Sequence, residues 1–433
     1  MDKIKKKQIL NDCNNNNFTI DKLDQWVISG DITLEEFELN RLDPSKLEIL
    51  RQRKEQREGT FIIEDAPTAP TNFFEETIFV SDTPPLSVVP PQGGKIAEIQ
   101  KVINNEVGIE EIKDAIRKGI YTYNDLLAAG IPQRIINAME YHSQRKPVRP
   151  MAIEDLPPMD KGRTDIFFIG IAGSGKSVML GGLLRYANKE GIMIPDSYNQ
   201  EGNKYAAHLT SDLEKGILPL ATTAGSYNYI AASIKDSKKV PHPLNIVEVP
   251  GENYHRIFEE GIENEEVKGF VNYIKNDNRK ILIFVLDALE HKNRLENSYS
   301  SAYKQGDIYV AILSMLKSYK ILEKTDALYI VVNKFDVLKK EQALFSSQSD
   351  AKLADDFVKD EFKNLLNNCI DAKENSRNKF PIKVFPFSIG EVCYDKILKE
   401  YNTTYSKNIV EQILSDSFVV SGDGFLSKFL KRF

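Results

Sequence analysis

With 433 residues, 41% of them hydrophobic and 28% charged, the chain has enough apolar material for two or three cores and enough charge to stay dissolved. A net charge of -6 and a pI near 5.7 exclude a general attraction to phosphate backbones or anionic membranes, so nucleic acid is not an expected partner. The three cysteines, Cys13, Cys369 and Cys393, match neither zinc-ligand spacing nor a disulfide framework, and the apolar runs are too short for a secretory leader or an integral membrane segment; a reducing, cytoplasmic setting is expected.

In chain order, Thr19–Gln52 and Gly108–Tyr141 align without a gap at an offset of 89 residues. Ile20, Leu23, Ile32, Leu42, Leu47 and Leu50 fall opposite Ile109, Ile112, Tyr121, Ile131, Ile136 and Met139, and Gly30 falls opposite Gly119 at a helix-ending position. Each copy reads as a helix, a glycine turn, a short helix from Leu34 or Tyr123, and a third from Asp43 or Pro132. This predicts two small all-α repeat modules, 1–56 and 96–146, each too small to bury much area alone. They serve either to dock a protein partner or as structural appendages.

Between them, 57–95 carries Pro67, Pro70, Pro84, Pro85, Pro90 and Pro91 and reads as a proline-rich linker; inside it Glu76–Val80 suits a short strand or a linear binding segment. A second cluster, Pro147, Pro150, Pro157 and Pro158, marks a linker over 147–162. From 163 to 433, short β-rich runs alternate with helical stretches. The predicted strands are Asp165–Gly170, Tyr229–Ile234, Leu244–Val249, Lys280–Asp287, Leu328–Asn333 and Ile382–Ser388. The expected fold class is α/β, a P-loop NTPase domain with a mostly parallel six-stranded sheet, and a helical insertion at about 338–379.

The first of these strands runs into Gly170-Ile-Ala-Gly173-Ser174-Gly175-Lys176-Ser177, followed by a helical run over Val178–Asn188. Glycines let backbone N–H groups close around a polyphosphate, and the helix N-terminus adds partial positive charge. Lys176 is placed to meet the terminal phosphates and the Ser177 hydroxyl to ligate Mg²⁺.

Two further segments fit sensors of the last phosphate. Glu248-Val-Pro-Gly251-Glu252 follows a strand; the Gly251 N–H can meet a γ-phosphate, Glu248 can hold Mg²⁺ through water, and Glu252 can orient or deprotonate an attacking water. Upstream, Pro219-Leu-Ala-Thr222-Thr223-Ala-Gly225 offers two side-by-side threonine hydroxyls to the metal, Thr223 preferred as the switch threonine with Thr222 the alternative, or else forms a simple turn with solvated hydroxyls. The strand Leu328–Val332 ends in Asn333-Lys334-Phe335-Asp336. A carboxylate at Asp336 can accept both guanine N–H donors, which adenine does not present; the Lys334 stem can cover the base and the Asn333 amide can brace the loop. Ser388, past the last strand, lies where a backbone N–H can support the guanine oxygen, or is an ordinary turn.

At these residues the chain resembles the GTPase domains of the translation-factor-related P-loop class, whose Ras-like members share the order phosphate loop, switch threonine, D-x-x-G, N-K-x-D. The resemblance covers Thr164–Val392, with Glu248 standing where the class writes Asp. The segment Tyr205–Gly216 with Pro219 and Thr222-Thr223 is similar to the bacterial double-GTPase families of prokaryotic conflict systems. The resemblance implies a Mg²⁺-dependent GTP/GDP switch or slow GTPase, regulatory in role, whose helical repeats couple nucleotide state to a partner. With no internal arginine finger evident in the switch segment, turnover is expected to need a partner or nucleotide-dependent self-association. The alternatives are a non-hydrolysing nucleotide-binding scaffold and a P-loop ATPase. The basic and apolar end, Phe425–Phe433, suits packing on the fold, on a partner or on an anionic surface.

Overall fold

The computed structural model describes residues 23, 26–27, 31–40, 42, 46–47, 50–51, 93–145, 151–220, 222, 225–262, 264–296, 304–342 and 348–417. Cys13, Ile20, Gly30, Asp43, the proline-rich stretch through Pro91 with Glu76–Val80, Pro147, Pro150, Thr223 and Phe425–Phe433 lie outside the described residues. The chain divides into two compact units, 1–87 and 88–433.

In the first unit, helix α1 (Leu34–Leu39) begins at a reciprocal cap: the Glu36 N–H donates to Thr33 Oγ1 at 3.3 Å and the Thr33 N–H donates to Glu36 Oε2 at 2.9 Å. Leu23, Ile32, Leu34, Phe37, Leu42, Leu47 and Leu50 bury one small core.

The second unit opens with α2 (Gly93–Ile103), α3 (Ile109–Arg117), α4 (Tyr123–Ala128) and α5 (Gln133–Gln144). Helix α2 starts inside the stretch read as linker, and the Lys95 ammonium there pairs with Asp125 at 2.9 Å. Thr122 and Asp125 form the same reciprocal cap on α4, at the repeat positions of Thr33 and Glu36. This module shares its core with residues far along the chain: Ile217, Tyr394 and Ile397 pack among Ile109, Ile112, Ile136 and Met139. It therefore belongs to the same folded body as the sheet. The segment 151–162, expected as linker, is packed too. Ile153 and Leu156 are buried in the main core, and the Pro157 carbonyl accepts the Tyr273 hydroxyl at 2.9 Å. Prolines lack a donor but keep an acceptor, so a proline cluster reads as a spacer even where it is a strap.

The main sheet contains β1 (Thr164–Ile169), β2 (Met193–Pro195), β3 (Asn228–Lys235), β4 (Pro241–Glu248), β5 (Arg279–Asp287), β6 (Thr325–Asn333) and β7 (Ile382–Pro386), in the order β2-β3-β4-β1-β5-β6-β7. Six expected strands become seven. The added one, β2, is three residues at the sheet edge, ending in Pro195, too short for a period-two pattern. β2–β3 and β3–β4 pair antiparallel and the rest parallel. A separate hairpin joins β8 (Val392–Cys393) to β9 (Ile397–Leu398).

Around the sheet lie α6 (Lys176–Lys189), α7 (Gln200–Glu214), α8 (Gly251–Glu259), α9 (Glu265–Ile274), α10 (Ala288–Glu296), α11 (Gln305–Ser318), α12 (Asp336–Gln342), α13 (Asp350–Glu361), α14 (Lys363–Asn375) and α15 (Thr404–Asp416). Helices α7, α6 and α15 pack as one group, and α9, α8, α11 and α14 as another. β1 is buried along its whole length, which a strand reaches only when both sheet faces are covered. Among the described residues no helix is long and apolar enough to cross a membrane.

At the end of the sheet where β1 begins, Asp165 is fully buried and accepts the amides of Asn245 at 2.7 Å and Asn278 at 2.9 Å, with Lys280 Nζ 3.8 Å away. Burial raises the Asp165 carboxyl and pushes Lys280 down to about 8 from its ordinary 10.5, because the pairing only partly offsets desolvation. The unfolded chain keeps the lysine proton up to about pH 10.5 while the folded chain releases it near 8. Stability is therefore expected to rise with pH across that window, and Lys280→Met to lessen the rise without abolishing it, since buried Lys176 is shifted down over the same window; urea titrations of both proteins at pH 7.5, 9 and 10 check this.

Candidate functional site

The carboxyl ends of β1, β4, β5 and β6 carry Ile169, Glu248, Asp287 and Asn333, and the expected site residues gather there. The loop after β1 turns through Gly173 and Gly175 at φ +77° and +83°, backbone that favours glycine, and Gly175 caps α6 in that left-handed state. A side chain at Gly170 would come within 2.5 Å of Ser174 Oγ, and one at Gly175 would strike the Asn333 amide. Gly251, the first residue of α8, presses directly on the Ile171–Ala172 backbone. A second helix N-terminus thus abuts the same loop as α6, adding to its positive potential.

Lys176 is buried against this loop, its ammonium donating to the carbonyls of Gly170 at 2.7 Å and Ile171 at 3.1 Å. Burial pushes it down to about 8, while the Glu248 and Glu252 carboxylates favour the charged form. Glu252 sits half-buried in the first turn of α8. Tyr309 from α11 holds the loop to the sheet, accepting the Ile171 N–H at 3.2 Å and donating to the Val285 carbonyl at 2.6 Å.

Glu248 is fully buried and collects hydroxyl groups from three directions. Its Oε1 accepts Ser177 Oγ–H and, at 3.2 Å, Thr222 Oγ1–H, and the two hydroxyl oxygens lie 2.9 Å apart. Its Oε2 accepts the Tyr205 hydroxyl and, at 3.5 Å, the Asn228 amide. Thr222 joins this cluster; Thr223, the other threonine the sequence offers, lies outside the described residues. The set consists of hard oxygens, two neutral and one anionic. Such a set suits Mg²⁺, which binds few protein oxygens and keeps water elsewhere.

At the other end, the buried Asn333 amide donates to the Ser174 carbonyl at 2.6 Å and its oxygen accepts the Lys334 N–H at 2.8 Å. That bond joins the loop after β6 to the loop after β1. Lys334 takes φ +54°, and its ammonium meets Asp287 Oδ2 at 2.6 Å. Asp287 is held in turn by Gln305, whose side chain bonds both its backbone N–H and C=O. Asp336 opens α12 and accepts Ser388 Oγ–H at 2.9 Å, as the Phe335 N–H meets the Phe387 carbonyl at 3.0 Å. Beside this pair opens a cavity of about 530 Å³, also lined by Lys339, Lys340, Gly390 and Tyr401.

Sequence reasoning assigned no role to Tyr205, Asp287, Gln305 or Tyr309. Asp287 had a visible signal, a polar residue ending an apolar strand as Glu248 and Asn333 do. The others act across helices and carry no local mark.

The architecture and the loop define an α/β protein with a strand–phosphate loop–helix unit at the carboxyl edge of its sheet. No protein-family model and no curated protein matches the sequence. Among solved structures, the fold is similar to a candidate nucleolar GTP-binding protein 1 from Plasmodium falciparum, at 18% identity and TM-score 0.32, over 64% of this chain and 96% of that one. It is also similar to the signal recognition particle receptor SRb-GTP/SRX complex from Chaetomium thermophilum, at 14% identity and TM-score 0.32, over 58% of this chain and 99% of that one. Neither likeness is close enough to assign an activity.

Proposed function

We propose that this chain is a Mg²⁺-dependent guanine-nucleotide-binding protein, a slow GTPase switch that passes its nucleotide state to a protein partner through its helical modules. The observation that carries the reading is the Asn333–Ser174 bond, which makes the phosphate loop and the Asn333–Asp336 turn two ends of one continuous site. In this reading the N–H groups of Gly170–Ser177 cradle the polyphosphate, and Lys176 exchanges its two loop carbonyls for phosphate oxygens. Asp336 accepts the guanine N–H donors and Ser388 fixes that carboxylate's orientation. Bound Mg²⁺ supplies charge neutralisation at the phosphates, held through Ser177, Thr222 or its neighbour Thr223, and Glu248. Glu252 orients the attacking water and Gly251 offers its N–H to the γ-phosphate.

The coupling reading is supported by where the helical module sits. Its α3 meets the hairpin through the Ile109 N–H and Tyr394 carbonyl at 3.1 Å, and Arg145 donates to the Leu218 carbonyl at 2.8 Å. Leu398 N–H in turn bonds the Gly216 carbonyl at 2.8 Å. Gly216–Leu218 leads into Thr222, and the hairpin follows Ser388, so the module rests on the segments that adjoin the proposed metal end and base end of the site. Self-association in the nucleotide-bound state, a cytoplasmic location, and the regulatory role implied by the double-GTPase resemblance complete the proposal.

Calorimetric titration with non-hydrolysable GTP and ATP analogues in Mg²⁺ tests it. The guanine analogue is expected to bind at least about 100-fold tighter. Equal or adenine-preferring binding overturns the guanine assignment.

A further inference from the structure

In the resemblance that points to a GTPase, the strand-end acid is aspartate; this chain carries Glu248, with one more methylene and one more torsion to order. The structure shows what holds that torsion. Asn199 caps α7 by accepting the Gly202 N–H at 2.8 Å and donates to the Tyr229 carbonyl at 3.2 Å, fastening the helix to β3. Gly202 lies so close to that carbonyl that any side chain would collide with it. Flush packing at this turn delivers Tyr205, one turn later, through the buried layer to Glu248 Oε2. The same carboxylate's Oε1 is left for Ser177 and Thr222.

We infer that Tyr205 is a positioning residue for the metal site. Its hydroxyl pins the far oxygen of Glu248, so that a glutamate presents a single oxygen to the Ser177–Thr222 hydroxyls, and Glu248 and Tyr205 form a matched pair. Tyr205 touches neither nucleotide nor metal in this scheme; its hydroxyl bonds Glu248 and also lies within reach of the Ser177 and Thr222 hydroxyls, and the double variant separates action through Glu248 from action through those two. The inference rests on the proposed guanine-nucleotide and Mg²⁺ reading.

The test measures binding of a fluorescent non-hydrolysable GTP analogue as Mg²⁺ is varied, for the full chain, Tyr205→Phe, Glu248→Asp and the double variant. Tyr205→Phe is expected to raise the half-saturating Mg²⁺ about tenfold, the usual loss on removing an outer partner of a metal ligand, with affinity at saturating Mg²⁺ within about threefold. Glu248→Asp, too short to keep the tyrosine contact, raises it by a similar factor, and Tyr205→Phe adds nothing in that background. An unchanged Mg²⁺ requirement in Tyr205→Phe overturns the inference, as does an equal loss in both backgrounds, which marks packing alone. If urea titration shows that Tyr205→Phe does not fold, an unchanged requirement in Glu248→Asp overturns it instead. The unsubstituted chain separates the two claims: failure to bind the analogue, or binding indifferent to Mg²⁺, refutes the proposed function and this inference with it. Mg²⁺-dependent binding that ignores Tyr205 refutes this inference only.

Discussion

Asp336→Ala is expected to erase the preference for guanine over adenine while leaving a weak, base-indifferent affinity for polyphosphate. A site built to hydrogen-bond a ligand's donors discriminates by about 10⁴-fold, because the wrong ligand leaves buried polar groups unpaired. Removing the carboxylate removes that discrimination and leaves Ser388 Oγ without the acceptor it now meets at 2.9 Å. The phosphate loop is untouched: Asn333 still braces Ser174, and Lys176 still faces the loop. Asp336 also opens α12, so the substitution costs about 0.3–1 kcal/mol of helix-end electrostatics, too little to unfold the domain. Paired titrations with the guanine and adenine analogues give the result. Unchanged selectivity in the variant would show that base reading lies elsewhere.

Gly251→Ala is expected to lower nucleotide affinity about 100-fold with only modest loss of stability. The added methyl collides with the backbone of Ile171 and Ala172, which has no side-chain freedom with which to yield. The loop must move or α8 must back away, and overpacking of this kind costs about 1–3 kcal/mol. Borne by the nucleotide-bound loop, that cost corresponds to about a 5- to 150-fold loss of affinity, at about 1.4 kcal/mol per tenfold. Alanine at Gly269 is the control, since the nearest atoms its methyl meets belong to the Ile153 side chain, at 3.0 Å, and not to the loop backbone. Calorimetry on the two variants, with thermal unfolding alongside, separates loop displacement from general instability. Equal affinities would mean that α8 does not constrain the loop.

Much of the candidate site was legible because its demands are local. Gly170 to Ser177 is eight consecutive residues, and the glycines answer to backbone angles set within that stretch, Gly173 and Gly175 at positive φ among them. Strand ends were legible for the same reason, since an apolar run closed by Glu248 or Asn333 marks both the strand and its polar tip. Strand β2 was not legible, being three residues long with Met193 only partly covered and Ile194 exposed. Nor was the order of the strands, which pairing decides and no single segment encodes.

By itself the sequence determined the glycine loop between β1 and α6, the six expected strands and the residues at their ends, because backbone geometry and two-residue periodicity are written along one segment. Only the tertiary structure decided that Thr222 joins Ser177 and Glu248, that Tyr205 reaches Glu248 and Asp287 reaches Lys334, and that the second helical module shares a core with Ile217, Tyr394 and Ile397. Those contacts join residues at least 26 positions apart, and their partners are chosen by how helices and strands pack rather than by any pattern along the chain.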